Sequence, residues 1–179
     1  MKKNEFLGDM LSTIALEIKP DGADGFYRYA DTNGAQLNKV KSVKRSIPSI
    51  EINPETQREL FKIEKNGFLE SKTAGALEHN QSFSWYLRIK TPHNLTGEIR
   101  SKMDESQKHR GYDIWLEGGK VGMHLVNEFP ANALKAVTKK PIPANQWHHL
   151  TITYNGKNKG SGLKVFLNGK NQPLQVTHD

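Results

Sequence analysis

The chain predicts an all-β fold in which two antiparallel sheets pack face to face as a β-sandwich, and three features carry that prediction. Apolar and polar residues alternate along successive segments of the second half of the chain, the period of a strand with one buried face. Fifteen glycines and eight prolines fall in many short clusters that read as turns. Strands that are apolar on only one face must bury it, and a second sheet is the partner that does so for many strands at once.

The bulk composition is that of a globular protein. A chain of 179 residues, 35% hydrophobic and 25% charged, can build one domain with a substantial core. It has no cysteine, which excludes disulfides, thiolate metal sites and a cysteine nucleophile, and no cofactor-binding motif stands out. The start, MKKNEFLGDMLSTIAL, has the paired lysines of a secretion signal, but Glu5 and Asp9 interrupt the apolar run that should follow, so it reads as a mature or excised start. No run of about 18 apolar residues is present, and membrane insertion is not expected. Of the net charge of +7, residues 1–90 contribute +2 (14 basic, 12 acidic) and 91–179 contribute +5 (12 basic, 7 acidic). A field of that sign attracts acidic partners. The local cluster KVKSVKR at 39–45 lacks the interleaved aromatics of a single-strand nucleic-acid binder, and nucleic acid is not an expected partner.

Residues 1–55 are the least patterned part and are expected to pack on the sandwich formed by 56–179. PDGADG and DTNG signal turns, while IALEI and GFYRYA are short strand candidates. Asp21, Asp24, Asp31 and Asn33 do not have the alternating spacing of a calcium loop. QRELFKIEKNGFLES is compatible with a helix or with a hairpin. Phe61 and Ile63 alternate with Lys62 and Glu64 before Asn66-Gly67, which favours the hairpin.

From there the alternation is regular. In SFSWYLRIK, Phe83, Trp85, Leu87 and Ile89 share one face and Ser84, Tyr86, Arg88 and Lys90 the other. GYDIWLE turns Tyr112, Ile114 and Leu116 inward, and Asp113, Trp115 and Glu117 outward. KVGMHLV continues through Val121, Met123 and Leu125. WHHLTITYNG and LKVFLNGKNQPL supply two more strands, the second turning at Asn168-Gly169. A two-residue turn at Gly118-Gly119 would set Glu117 opposite Lys120, Trp115 opposite Gly122 and Asp113 opposite His124.

These segments resemble the concanavalin A-like, laminin G-like jelly-roll modules. FKIEKNGFLE followed by SFSWYLRIKTP is similar to that family's opening strands, and QWHHLTITYNG with LKVFLNGK to its late segment. The stretch from SKMDESQKHRGYDIWLEGG to QWHHLTITYNG resembles most the laminin G-like module of planctomycete-type surface proteins that also carry a cytochrome c-like domain. The similarity spans roughly 60–175. It implies an extracytoplasmic recognition module attached to other domains of the same polypeptide and binding polysaccharide or a cell-surface protein. Two departures stand out. Arg88 occupies the place where the family usually has an outward tryptophan, and the family normally continues past the LNGK hairpin into closing strands, so either the chain is a fragment of a longer protein or its N-terminal segment fills the gap.

Asp113 and Glu117 flank Trp115 and invite a hydrolase reading, because glucanases of this fold project alternating carboxylates from one strand. Here the middle position is tryptophan, and four residues of strand separate the two acids by about 13 Å. Retaining glycosidases need about 5 to 5.5 Å and inverting ones about 6.5 to 9.5 Å, so this pair does not form the catalytic two. Asp113 with His124 is a formal acid/base dyad, and a hydrolase using it is the less favoured alternative. Adjacent His148 and His149 point to opposite faces of a strand and cannot together chelate one metal ion. The expectation is a non-catalytic recognition module whose site is an outward face bearing Arg88, Asp113, Trp115 and His124, with Tyr86 and Arg100 at its margin. A structural packing domain without a ligand is the competing reading.

Overall fold

A computed structural model of the chain describes residues 77–179 throughout and, within 1–76, the backbone of five short strands together with Pro54 and Gln57. The chain divides into two compact units, 1–76 and 77–179. In the first, β1 (Lys19–Asp21), β2 (Phe26–Tyr29) and β3 (Asn38–Val40) pair as an antiparallel meander. β2 coincides with the strand candidate in GFYRYA. β4 (Ser49–Ile52) pairs with β5 (Glu59–Lys62), so the start of FKIEKNG is extended rather than helical, and its partner precedes it. The turn expected at Asn66-Gly67 and the IALEI candidate lie outside the described residues.

The second unit is built from nine strands in two antiparallel sheets. These are β6 (Ser82–Lys90), β7 (Gly97–Asp104), β8 (Arg110–Glu117), β9 (Lys120–Glu128), β10 (Asn132–Thr138), β11 (Trp147–Asn155), β12 (Leu163–Leu167), β13 (Lys170–Gln172) and β14 (Leu174–His178). The five-stranded sheet has the order β14-β10-β9-β8-β7 and the four-stranded sheet β13-β12-β11-β6. The chain therefore starts in the smaller sheet, crosses to lay down β7 to β10, returns for β11 to β13 and crosses once more for β14.

The alternation read from the sequence decides which side chains meet between the sheets. Tyr112, Ile114, Leu116, Val121, Met123 and Leu125 line the inner face of the larger sheet, and Leu150, Ile152, Tyr154, Leu163 and Val165 that of the smaller. Ile114, Val121, Leu150 and Ile152 are fully buried. Each such side chain contributes about 1.5–3 kcal/mol relative to exposure. Trp85 closes one side of this core, stacked on Phe83 at 4.7 Å between centroids and tilted against Tyr112 at 4.9 Å.

His148 is inward and buried beside Leu150, as the strand period requires. Its Nε2 lies 2.8 Å from the Pro143 carbonyl, which only accepts, so that nitrogen carries the proton. Its Nδ1 then accepts from the Asn168 side-chain amide at 3.1 Å. The ring is a satisfied neutral core group, and His149 faces the other way.

Two turns set the registers that matter. Gly118 and Gly119 have φ of 55° and 78°, the pair of positive values a tight hairpin of this hand needs, and they fix Glu117 opposite Lys120, Trp115 opposite Gly122 and Asp113 opposite His124. Asn168 and Gly169 do the same between β12 and β13, with φ of 50° and 78°.

Candidate functional site

The outer face of the five-stranded sheet carries Asp113, Trp115 and His124 together. Gly122 lies under the indole: a Cβ placed there would come within 2.2 Å of Cζ2 and 2.3 Å of Cε2 of Trp115. The ring thus lies down across β9 instead of projecting from the sheet. It stacks on His124 with centroids 4.1 Å apart and planes 12° from parallel. Lys135, opposite His124 on β10, brings its Nζ to 5.4 Å from the indole centroid.

Asp113 anchors this arrangement from below. Its Oδ1 accepts from His124 Nδ1 at 2.8 Å and from the His124 backbone N–H at 3.2 Å. With one oxygen committed twice and the residue only 8% exposed, Asp113 orients the imidazole and is not presented to solvent. Nδ1 is committed to Asp113, and Nε2 is buried with no hydrogen-bond partner among the described residues. Phe129 stands edge-on to His124 at 6.0 Å and packs against His178 at 5.2 Å and His109 at 6.3 Å. The result is a half-buried aromatic and imidazole surface with one cation above it.

The other three expected site residues lie elsewhere. Tyr86 and Arg88 are on β6, and their outer face belongs to the four-stranded sheet, on the opposite side of the sandwich from Trp115. Alternation places a residue on a face, but only sheet membership says which side of the molecule that face looks toward, and β6 pairs with β11. There Arg88 stacks its guanidinium over Trp147, 4.9 Å from the ring centroid. Tyr86 hydrogen-bonds Nδ1 of His149. Burial raises the Tyr86 hydroxyl pKa while the Arg88 charge lowers it, the first effect being larger, so the phenol keeps its proton at neutral pH.

Arg100 departs from the expected face for a different reason. The register slips between Glu98 and Arg100, so that Glu98 pairs with Trp115 and Arg100 with Ile114. The extra residue of that bulge turns Arg100 to the inner side of the sheet edge. Its guanidinium lies 5.3 Å from the Trp85 centroid and donates to the Tyr112 hydroxyl at 3.3 Å. Arg100 caps the side of the core.

The same slip places Glu98 on the outer face beside Trp115, a position the sequence reading did not single out. Desolvation, then the charges of Asp113 and Glu105, hold its carboxyl above the usual range. Lys135, Phe129 and Trp147 were likewise missed as site residues. Lys135 was findable only through the β9 to β10 pairing, which has its own register shift near Ala133. Trp147 shares a face with His149 by simple alternation, and that signal was present in WHH.

Among the described residues no group of three or more His, Asp or Glu side chains is arranged to hold a metal ion, and no helix is long and apolar enough to cross a membrane. Comparison with curated proteins and with solved structures produced no match. A family model does match residues 64–177, which include β6 to β13 and most of β14. Both halves of the sandwich and the strands that frame Trp115 fall inside it, and the chain belongs to the concanavalin A-like lectin/glucanases superfamily, in its laminin G-like branch.

Proposed function

We propose that the chain is a non-catalytic recognition module of a larger extracytoplasmic protein and that it binds carbohydrate, or a protein surface, through the outer face around Trp115. The observation that carries this reading is the placement of the indole: laid across Gly122, backed by His124 and overlooked by Lys135, it is a rigid flat group that is only half buried. Flat apolar rings with a polar rim suit the faces of sugar rings and the side chains of a docking protein.

The commitments of Asp113 argue against hydrolysis. A carboxylate that accepts twice from His124 is not free to attack a sugar carbon, the His124 Nε2 that would serve as base in a dyad is buried, and Glu117 stands at the hairpin end, about 13 Å along the strand. A glycan array probed with the wild-type chain and with Trp115→Ala tests the proposal. Binding that drops at least tenfold on substitution supports it. Binding unchanged by Trp115→Ala moves the site elsewhere, absence of binding to any glycan or surface protein leaves a packing role, and polysaccharide turnover lost in Asp113→Ala overturns the non-catalytic reading.

A further inference from the structure

The outer face of the four-stranded sheet differs in kind from the one around Trp115. Its four strands, β6, β11, β12 and β13, contain Arg88, Lys90, Lys164 and Lys170 and no Asp or Glu. The five acidic residues found in strands of the second unit, Glu98, Asp104, Asp113, Glu117 and Glu128, all lie in the other sheet. Alternation sends Ser84, Tyr86, Arg88 and Lys90 of β6, Trp147, His149, Thr151 and Thr153 of β11, and Lys164 and Phe166 of β12 outward. This face is open: Ser84, Arg88, Lys90, His149 and Lys164 are exposed and Tyr86 is 44% exposed. Across the sandwich, by contrast, Asp113, Gly122, Val126 and Ala133 are buried.

We infer that this face is a second binding surface, for an acidic polysaccharide. None of Arg88, Lys90 and Lys164 is ion-paired among the described residues, so their charge is not cancelled locally. Arg88 is held in place by its stack on Trp147, which lowers the entropy lost when its planar fork engages a carboxylate or sulfate. Lys164 pairs through Thr153 with Ser84, four residues before Arg88 on the strand two places away. The two cations therefore stand about 16 Å apart on a diagonal, from roughly 13 Å along the strands and about 10 Å across them. A small anion cannot reach both, whereas a chain of sugar units can. Between them run the Ser84, Thr151 and Thr153 hydroxyls, partners for a polyhydroxylated ligand. A nucleic acid is the less suitable polyanion, because it needs bare rings for its bases: Trp147 is capped by Arg88, Tyr86 is tied to His149 and Phe166 is half buried.

The test measures binding of the whole chain to polygalacturonate, dextran sulfate, uncharged dextran and a single-stranded oligonucleotide at one fixed ionic strength. The expected result is binding to one or both acidic polymers, the carboxylate and sulfate arms deciding which anion is preferred, and none to uncharged dextran. Arg88→Glu with Lys164→Glu should weaken it at least tenfold. Lys139→Glu with Lys140→Glu, two exposed lysines between β10 and β11 carrying the same charge change, should weaken it less than twofold. Trp115→Ala should leave it unchanged, which separates this surface from the site proposed above. Equal losses in the two charge-reversal variants, loss with Trp115→Ala, no binding to either acidic polymer, or tighter binding to the oligonucleotide would each overturn the inference. Arg88→Gln with Lys164→Gln repeats the test should charge reversal disturb the fold.

Discussion

Trp115 and Gly122 oppose one another on β8 and β9, and the indole fills the volume in which a side chain at 122 would begin. The absence of a Cβ on one strand is what lets the ring on the next lie flat and meet His124.

Gly122→Ala should therefore evict the indole. A methyl 2.2 Å from Cζ2 cannot be accommodated without moving the ring or β9. Overpacking of this kind costs about 1–3 kcal/mol. Urea unfolding should give a lower midpoint with an unchanged slope, and the near-ultraviolet circular dichroism of the tryptophans should change. An unaltered near-ultraviolet spectrum in a variant of full stability would contradict the placement of Trp115.

Asp113 and His124 should be energetically coupled. Asp113→Ala removes the acceptor for two His124 donors, one of them a backbone N–H, and should destabilise by about 1–3 kcal/mol. In a double-mutant cycle with His124→Phe, which keeps a ring for Trp115 to stack on, the coupling should be about 0.5 kcal/mol or more. Strictly additive effects would mean the hydrogen bond contributes nothing in solution.

Glu98 should make the protein less stable as pH rises through the acid range. Its carboxyl binds a proton more tightly in the folded state than in the unfolded chain, because burial and then the charges of Asp113 and Glu105 oppose ionisation. In the window between its ordinary pKa and its raised one the folded state holds more protons, so stability falls with increasing pH and the deficit persists above that window. Glu98→Gln should stabilise the chain at neutral pH by a few tenths of a kcal/mol, about the scale left to an exposed charge, and should have no such effect well below the ordinary pKa. Equal effects at both pH values would remove the electrostatic explanation.

Much of the fold was legible because its controlling variable is local. Side chains along a strand alternate between faces, so Ile114, Leu116 and Val121 could be assigned to the core from their positions alone, as could inward His148. Paired turn residues with positive φ fix the hairpin register, so Trp115 opposite Gly122 and Asp113 opposite His124 followed from Gly118-Gly119. The site was legible only where it depends on that one hairpin.

What the chain's sequence determines by itself is thus the class of fold, the inward and outward sets of each strand and the pairing across each tight turn, all set by interactions between near neighbours. What only the tertiary structure decided is which outward sets share a side of the molecule. Arg88 and Tyr86 went to the far face because β6 pairs with β11 across more than fifty residues of chain. Arg100 went to the core edge because a single extra residue at Ile99 inverts the alternation. Long-range strand pairing and bulges are chosen by packing of the whole sandwich, and no local pattern encodes them.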